Sequence, residues 1–233
     1  MSKKWTKEAI ASTIDHTNLK ATAEPHHVKK LCDEAMEYHF ASVCVNPCYA
    51  KLVSEKLKGT PVKTCIVVGF PLGANTSAIK AAETRQAITD GADEIDMVIN
   101  IGMLKSGEYD YVENDIRAVV DAAGPVCVKV ILENCYLTDD EKAKACLLSE
   151  KAGAPYVKTS TGMGPGGATV EDVQLMERIL PTHKIKAAGG IGDLETAIKM
   201  LEAGADRIGA SASIALVESV GEREREESYR NSH

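Results

Sequence analysis

Short runs rich in β-branched residues alternate along this chain with longer stretches whose apolar positions recur at helical spacing. The short runs predict strands over 12–16, 41–46, 62–69, 94–100, 126–133, 156–160, 184–188 and 206–210. The helical pattern occupies 24–39, 47–58, 76–90, 109–123, 139–152, 170–180, 194–203 and 213–221, with a short extra helix at 6–11. Thr138 with Glu141, and Thr169 with Asp172, have the spacing at which a hydroxyl and a carboxylate satisfy the first free amides of a helix. Gly91, Gly124, Gly153 and Gly204 stand where helices should end, because glycine tolerates the left-handed closing turn.

Eight strands, each followed by a helix, are the count of a (β/α)₈ TIM barrel, a single domain of the α/β class. An open doubly wound sheet would usually have five or six strands. The length of 233 residues suits one barrel of roughly 250. No linker or shift of composition divides the chain, so the barrel is expected over 1–221 and a charged, mobile tail over 222–233.

Composition narrows the function classes. With 44% hydrophobic and 26% charged residues, disorder over the whole length is excluded. No uninterrupted apolar run exceeds four residues, too short to span a bilayer as a helix. The opening Met-Ser-Lys-Lys-Trp lacks the apolar segment of a signal peptide, so the location is read as cytoplasmic. A formal net charge of -7 argues against nucleic acid, which needs clustered Lys and Arg, but not against a small anionic ligand. The seven cysteines are odd in number and form no Cys-x-x-Cys pair, which fits reduced thiols.

Candidate chemistry lies in charges that do not belong in a barrel strand. Such strands are buried on both faces, and an unpaired charge there is costly. Asp96, Lys129, Lys158 and Lys186 fall on strands four to seven, which are neighbours about 4.8 Å apart. Pointing inward, three ammonium groups and one carboxylate would share one polar pocket. A free lysine is less than about 0.1% neutral at pH 7 and therefore a poor nucleophile. Desolvation and a second ammonium both disfavour its charged form, and a neutral lysine attacks carbonyls to form a Schiff base. The competing reading is a buried ion-pair network that only closes the barrel, with Glu133 and Asp15 improving its balance.

A second signal is glycine. Gly162-Met-Gly-Pro-Gly-Gly167 follows strand six, Gly189 and Gly190 follow strand seven, and Gly209-Ala-Ser211 ends strand eight. Each group alone is ordinary turn chemistry. Together, at adjacent strand ends, they predict a phosphate seat of bare backbone amides.

These motifs are specific enough to compare. Val157-Lys-Thr-Ser-Thr-Gly162, Lys186-Ala-Ala-Gly-Gly190, Gly91-Ala-Asp-Glu-Ile-Asp-Met-Val-Ile-Asn100, Ile14-Asp-His-Thr17 and Lys129-Val-Ile-Leu-Glu133 resemble the signatures of the deoxyribose-phosphate aldolase family, over a stretch from Ile14 to Val217. The resemblance implies a metal-independent class I aldolase without cofactor. Such enzymes interconvert 2-deoxy-D-ribose 5-phosphate with acetaldehyde and D-glyceraldehyde 3-phosphate in deoxynucleoside catabolism. By that similarity Lys158 is the Schiff-base lysine, Lys186 depresses its pKa, and Asp96 relays protons through water. Lys129 joins the network, Asp15 and Thr161 approach the substrate's hydroxyls, and Gly162, Gly189, Gly190, Gly209 and Ser211 receive the phosphate. Spacing alone does not say which lysine is the nucleophile; the resemblance decides it. Many relatives carry arginine where this chain has Gly192, and some end in a tyrosine that Tyr229 would match.

Two rivals remain at this stage. A metal-dependent aldolase or isomerase would need convergent His and carboxylate ligands, and only His16 is well placed. A non-catalytic sugar-phosphate sensor should have lost a catalytic residue, yet Lys158, Lys186 and Asp96 are all present. Cys44, at the end of strand two, either faces the pocket and reacts with unsaturated aldehydes or is buried and inert. Assembly into a homo-oligomer is left open.

Overall fold

Alternation along each strand sends one set of side chains to the helices and the other inward. The structure, a computed structural model, describes residues 5–221. The strands are β1 (Ile14–Asn18), β2 (Ser42–Val45), β3 (Lys63–Val68), β4 (Glu94–Val98), β5 (Cys127–Ile131), β6 (Tyr156–Lys158), β7 (Lys184–Ala188) and β8 (Arg207–Ala210). They pair in parallel in chain order, and β8 closes on β1 to complete a (β/α)₈ barrel. The helices are α1 (Lys7–Ala11), α2 (Pro25–Tyr38), α3 (Ala50–Leu57), α4 (Ser77–Thr89), α5 (Ile101–Lys105), α6 (Tyr109–Ala123), α7 (Asp139–Lys151), α8 (Val170–Ile179) and α9 (Leu194–Glu202), and residues 213–221 are also helical.

Most of the apolar core lies outside the sheet. Val43, Val45, Ile66, Val68, Ile95, Met97, Val128, Val130, Val157 and Ile185 are fully or almost fully buried and belong to one cluster with Val28, Val53, Ile116, Val173 and Met200 of the helices. Each such side chain contributes about 1.5–3 kcal/mol when withdrawn from water. The alternate positions, among them Asp15, Ser42, Cys44, Cys65, Asp96, Lys129 and Lys186, are equally buried but polar. The interior of this barrel is therefore a charged layer enclosed by an apolar one.

Local signals behaved as their chemistry requires. The Thr138 and Glu141 capping box is complete, with both reciprocal hydrogen bonds. Thr169 caps α8 through the Asp172 amide at 3.1 Å, but the expected reciprocal half is missing, because the Asp172 carboxylate is turned to Lys142 at 2.6 Å. Gly91, Gly124, Gly153 and Gly204 all have positive φ. Several boundaries differ from the expectation. β1 starts at Ile14 rather than 12, because Ser12 closes α1 and its amide bonds Glu8 O. The expected helix over 47–58 opens with a 3₁₀ turn at Pro47–Tyr49, and α5 and a 3₁₀ turn at Asn134–Tyr136 were not foreseen. The expected tail over 222–233, including Tyr229, lies outside the described residues.

One ion pair outside the barrel holds two helices to the end of β4. Lys80 of α4 and Asp115 of α6 are fully buried; the Lys80 ammonium donates to Asp115 at 2.5 Å and to the Val98 carbonyl at 2.8 Å. Lys80→Met should strand the Asp115 carboxylate and cost about 3–5 kcal/mol in urea unfolding. Adding Asp115→Leu should recover most of that loss, because an apolar pair of similar volume needs no charge balance.

Candidate active site

Asp96 stands on the central residue of β4 and faces the interior, where three lysines converge on it. Lys158 Nζ lies 2.8 Å and Lys186 Nζ 2.7 Å from the same Oδ2. Lys129 Nζ lies 2.9 Å from Oδ1, which also accepts from the Cys65 thiol at 3.2 Å. The strand register explains the convergence, since Asp96 pairs with Lys129 and Lys158 with Lys186 across neighbouring strands.

Beneath this cluster a further layer completes the charge balance. Lys186 Nζ lies 2.5 Å from Asp15 Oδ2, and Lys129 Nζ 2.6 Å from Glu94 Oε2. The Arg207 guanidinium bridges both carboxylates, donating to Asp15 and, at 2.9 Å, to Glu94. Four cations thus meet three carboxylates, which corrects the expected ratio of three to one. Glu133 takes no part: it accepts from the Thr161 amide at 3.1 Å and from the Thr161 hydroxyl.

Electrostatics fix the charge states of this layer. Burial works against ionisation of Asp96, but Lys129, Lys158 and Lys186 outweigh it and hold the carboxyl well below the usual range. Asp15 is lowered in the same way, by Lys186 and Arg207 against the effect of burial. Burial also disfavours the charged form of Lys186, yet Asp15 and Asp96 hold it well above an ordinary lysine. Lys129 is raised likewise, chiefly by Asp96.

Above the layer, at the C-terminal ends of β1, β6, β7 and β8, opens a cleft of about 650 Å³. Lys158, Thr161, Gly162, Gly189, Gly190, Gly209 and Ser211 line it. Asp96, Lys129, Lys186 and Asp15 do not; they are enclosed below, with Asp15 bonded to Ser42, Arg207 and Lys186. Lys158 is therefore the single interior lysine that reaches from the charged layer to the cleft. The glycines serve close approach. Gly189 has φ +87°, and a Cβ on it would lie 3.1 Å from the Gly167 Cα and 3.3 Å from the Ser160 Cβ. A Cβ on Gly209 would meet Ala188 Cβ at 2.9 Å and Lys186 Cε at 3.2 Å, so a side chain there would disturb the lysine layer.

Sequence reasoning missed Arg207 and Glu94, both at the first residue of a strand, where a charge looks like a solvated end. Their signal lies in register: Arg207 pairs directly with Lys186, and Glu94 stands two residues before Asp96 on the same face of β4, beside the strand that carries Lys129. His16, Asn18, Lys20 and Glu34 also line the cleft and were not assigned to the site. His16 does not stand free as a metal ligand: Nδ1 lies 2.8 Å from Ser213 Oγ and Nε2 2.8 Å from Glu34 Oε2.

Cys44 is fully buried and pairs in register with Cys65 on β3. Contact with the Cys65 thiol, opposed by burial and reinforced by the Lys186 ammonium, pulls Cys44 down to about 7. Cys44 does not itself line the cleft, but Leu19 of the same small apolar cluster does, which sets the thiol close below an aldehyde bound there. Cys44→Ala should slow inactivation by crotonaldehyde several-fold in a residual-activity time course. An unchanged rate would mean that this thiol is inert.

With the geometry in hand, the chain can be set beside known proteins. Residues 9–217 match the model of the DeoC/LacD family aldolases. A deoxyribose-phosphate aldolase from Caldanaerobacter subterraneus subsp. tengcongensis is 59% identical over 213 residues, 90% of this chain and 92% of the relative. One from Clostridium tetani is 60% identical over 211 residues, 90% of this chain and 98% of the relative. Among solved structures, the tetrameric deoxyribose phosphate aldolase from Aeropyrum pernix superposes with a TM-score of 0.86 at 32% identity, covering 92% of each chain.

Proposed function

The chain belongs to the DeoC/LacD aldolase family, and on that premise we propose that it is a class I carbon–carbon lyase that cleaves 2-deoxy-D-ribose 5-phosphate reversibly to acetaldehyde and D-glyceraldehyde 3-phosphate. The observation that carries the site assignment is the position of Lys158. Its ammonium shares one oxygen of Asp96 with that of Lys186, and it alone of the three lysines lines the cleft.

In this reading Lys158 first gives up a proton to water in the cleft, and the free amine then attacks the C1 aldehyde of the open-chain sugar. Loss of water leaves an iminium, which draws the electrons of the C2–C3 bond. The C3 hydroxyl gives up its proton, C3 becomes the carbonyl of glyceraldehyde 3-phosphate, and the bonding pair stays on C2 as an enamine. Protonation of C2 and hydrolysis then release acetaldehyde and free Lys158. Lys186 stays charged beside the nucleophile, bound to both Asp15 and Asp96. Asp96, held as a carboxylate, anchors the Lys158 amine and receives protons from the cleft through water. Gly162, Gly189, Gly190, Gly209 and Ser211 receive the phosphate at the far end of the same cleft. Thr161, whose hydroxyl is bonded to Glu133, sits where it can support the substrate's hydroxyls.

The location follows the chemistry: seven free thiols suit a reducing cytoplasm. Among the described residues no helix is long and apolar enough to cross a membrane. A homo-oligomer is proposed from the tetrameric Aeropyrum pernix relative.

The test is borohydride trapping with acetaldehyde in the presence of a chelator, followed by peptide mass mapping. An ethyl adduct on the peptide bearing Lys158 is the expected result. A folded protein with no adduct on any lysine would overturn the Schiff-base reading.

A further inference from the structure

The phosphate end of the cleft is well walled but poor in fixed positive charge. Gly189, Gly190, Gly209 and Ser211 offer amides and one hydroxyl. A Cβ on Gly192 would meet nothing within 4 Å, so that loop leaves open the space a side chain would fill. A phosphate monoester carries about −1.5 to −2 charges at pH 7, and amides alone give it little Coulombic compensation at a solvent-filled mouth.

Three basic side chains line the cleft: Lys158, His16 and Lys20. Lys158 is directed at Asp96 and, in the proposed reaction, at the carbonyl carbon. Both ring nitrogens of His16 are occupied, by Ser213 and Glu34. Lys20 is left. It is exposed, and among the described residues its ammonium has no carboxylate within ion-pair distance. The barrel closure places it at the right end of the cleft. His16 pairs with Ala210 across β1 and β8, so the chain leaving β1 toward Lys20 runs beside the chain leaving β8 through Ser211. The one carboxylate that lines the cleft, Glu34, is turned to His16 at 2.8 Å and lies 3.6 Å from Lys30, which leaves Lys20 without an internal competitor for the phosphate.

We infer that Lys20 is the cation that makes this enzyme prefer phosphorylated over free aldehyde substrates. The inference rests on the aldolase reading of the cleft and names the residue that determines its specificity. Lys20 is remote from the reacting carbons, so it binds the ground state and the transition state equally. Its contribution therefore falls on KM and leaves kcat nearly untouched.

The experiment measures condensation of acetaldehyde with D-glyceraldehyde 3-phosphate and with D-glyceraldehyde, in wild type, Lys20→Met and Lys20→Arg. In Lys20→Met the ratio of kcat/KM for the phosphorylated over the free aldehyde should fall roughly tenfold, through the KM of the phosphorylated substrate. Lys20→Arg should keep the ratio, and the salt dependence of that KM should flatten only in Lys20→Met. Gly192→Arg, placed in the open space of the opposite loop, should restore the ratio to Lys20→Met. A ratio within twofold of wild type in Lys20→Met would overturn the role of Lys20 while leaving the aldolase intact. A wild-type protein inactive toward both aldehydes would overturn the aldolase reading and this inference with it.

Discussion

Lys158→Leu should abolish the borohydride-trapped adduct and lower kcat for deoxyribose 5-phosphate cleavage by about 10⁴-fold or more. Leucine fills much of the lysine's volume but has no amine, so no iminium forms and the C2–C3 bond has no electron sink. The structure makes this a clean test. Lys158 has Asp96 as its carboxylate partner, while Asp96 keeps Lys129 and Lys186 when Lys158 is gone. The network that remains is closer to neutral than before, with three cations and three carboxylates, so the fold should survive. Residual trapping on the peptide bearing Lys186 would show that a second lysine can serve. Full activity in Lys158→Leu would reject the assignment.

The second large effect is expected of Asp96→Asn. Asparagine matches the shape but removes the charge on which three ammonium groups converge. Lys186 retains Asp15 and Lys129 retains Glu94, so the loss in stability should be on the order of 3 kcal/mol rather than collapse of the barrel. On the proposed proton relay, loss of the Asp96 carboxylate should lower kcat by about 10²–10⁴-fold with little change in KM. The pH dependence of stability should change as well. Asp96 and Asp15 titrate well below their unfolded values, so their stabilisation is complete above about pH 4 and is lost as pH falls through the folded values. Lys129 and Lys186 are raised, so their share is complete below about pH 10 and is lost as pH climbs through the folded values. Wild type should therefore have a broad plateau of melting temperature between these limits. Asp96→Asn should lower the plateau and shrink the acid-side loss. An acid-side profile identical to wild type would argue that Asp96 is not the anion of the network.

Much of this could be read from the residue pattern because it is local. A β-branched run favours a strand through its own stiffness, and Thr138 with Glu141 closes a capping box within one turn of chain. Eight such repeats leave few architectures other than a closed barrel. The inward direction of Asp96, Lys129, Lys158 and Lys186 was also legible, because a charge inside an apolar strand has no inexpensive alternative to a polar interior. The resemblance of Val157-Lys-Thr-Ser-Thr-Gly162 to a known signature then singled out one lysine.

What the sequence could not contain is who meets whom across the barrel. Arg207 and Asp15 are 192 positions apart and form an ion pair because closure brings β8 against β1. Glu94 became a partner of Lys129 through the register of β4 on β5, and Glu133 was lost to the network because its backbone turns it toward Thr161. The difference between Lys158 and Lys186 is likewise tertiary. Both are buried lysines of short strands, yet one lines the cleft and the other lies enclosed beneath it, paired with two carboxylates. Periodicity and propensity act over a few residues and determine elements and the side each face takes. Charge balance and access to solvent are sums over neighbours brought together from the whole chain, and only the closed barrel decides them.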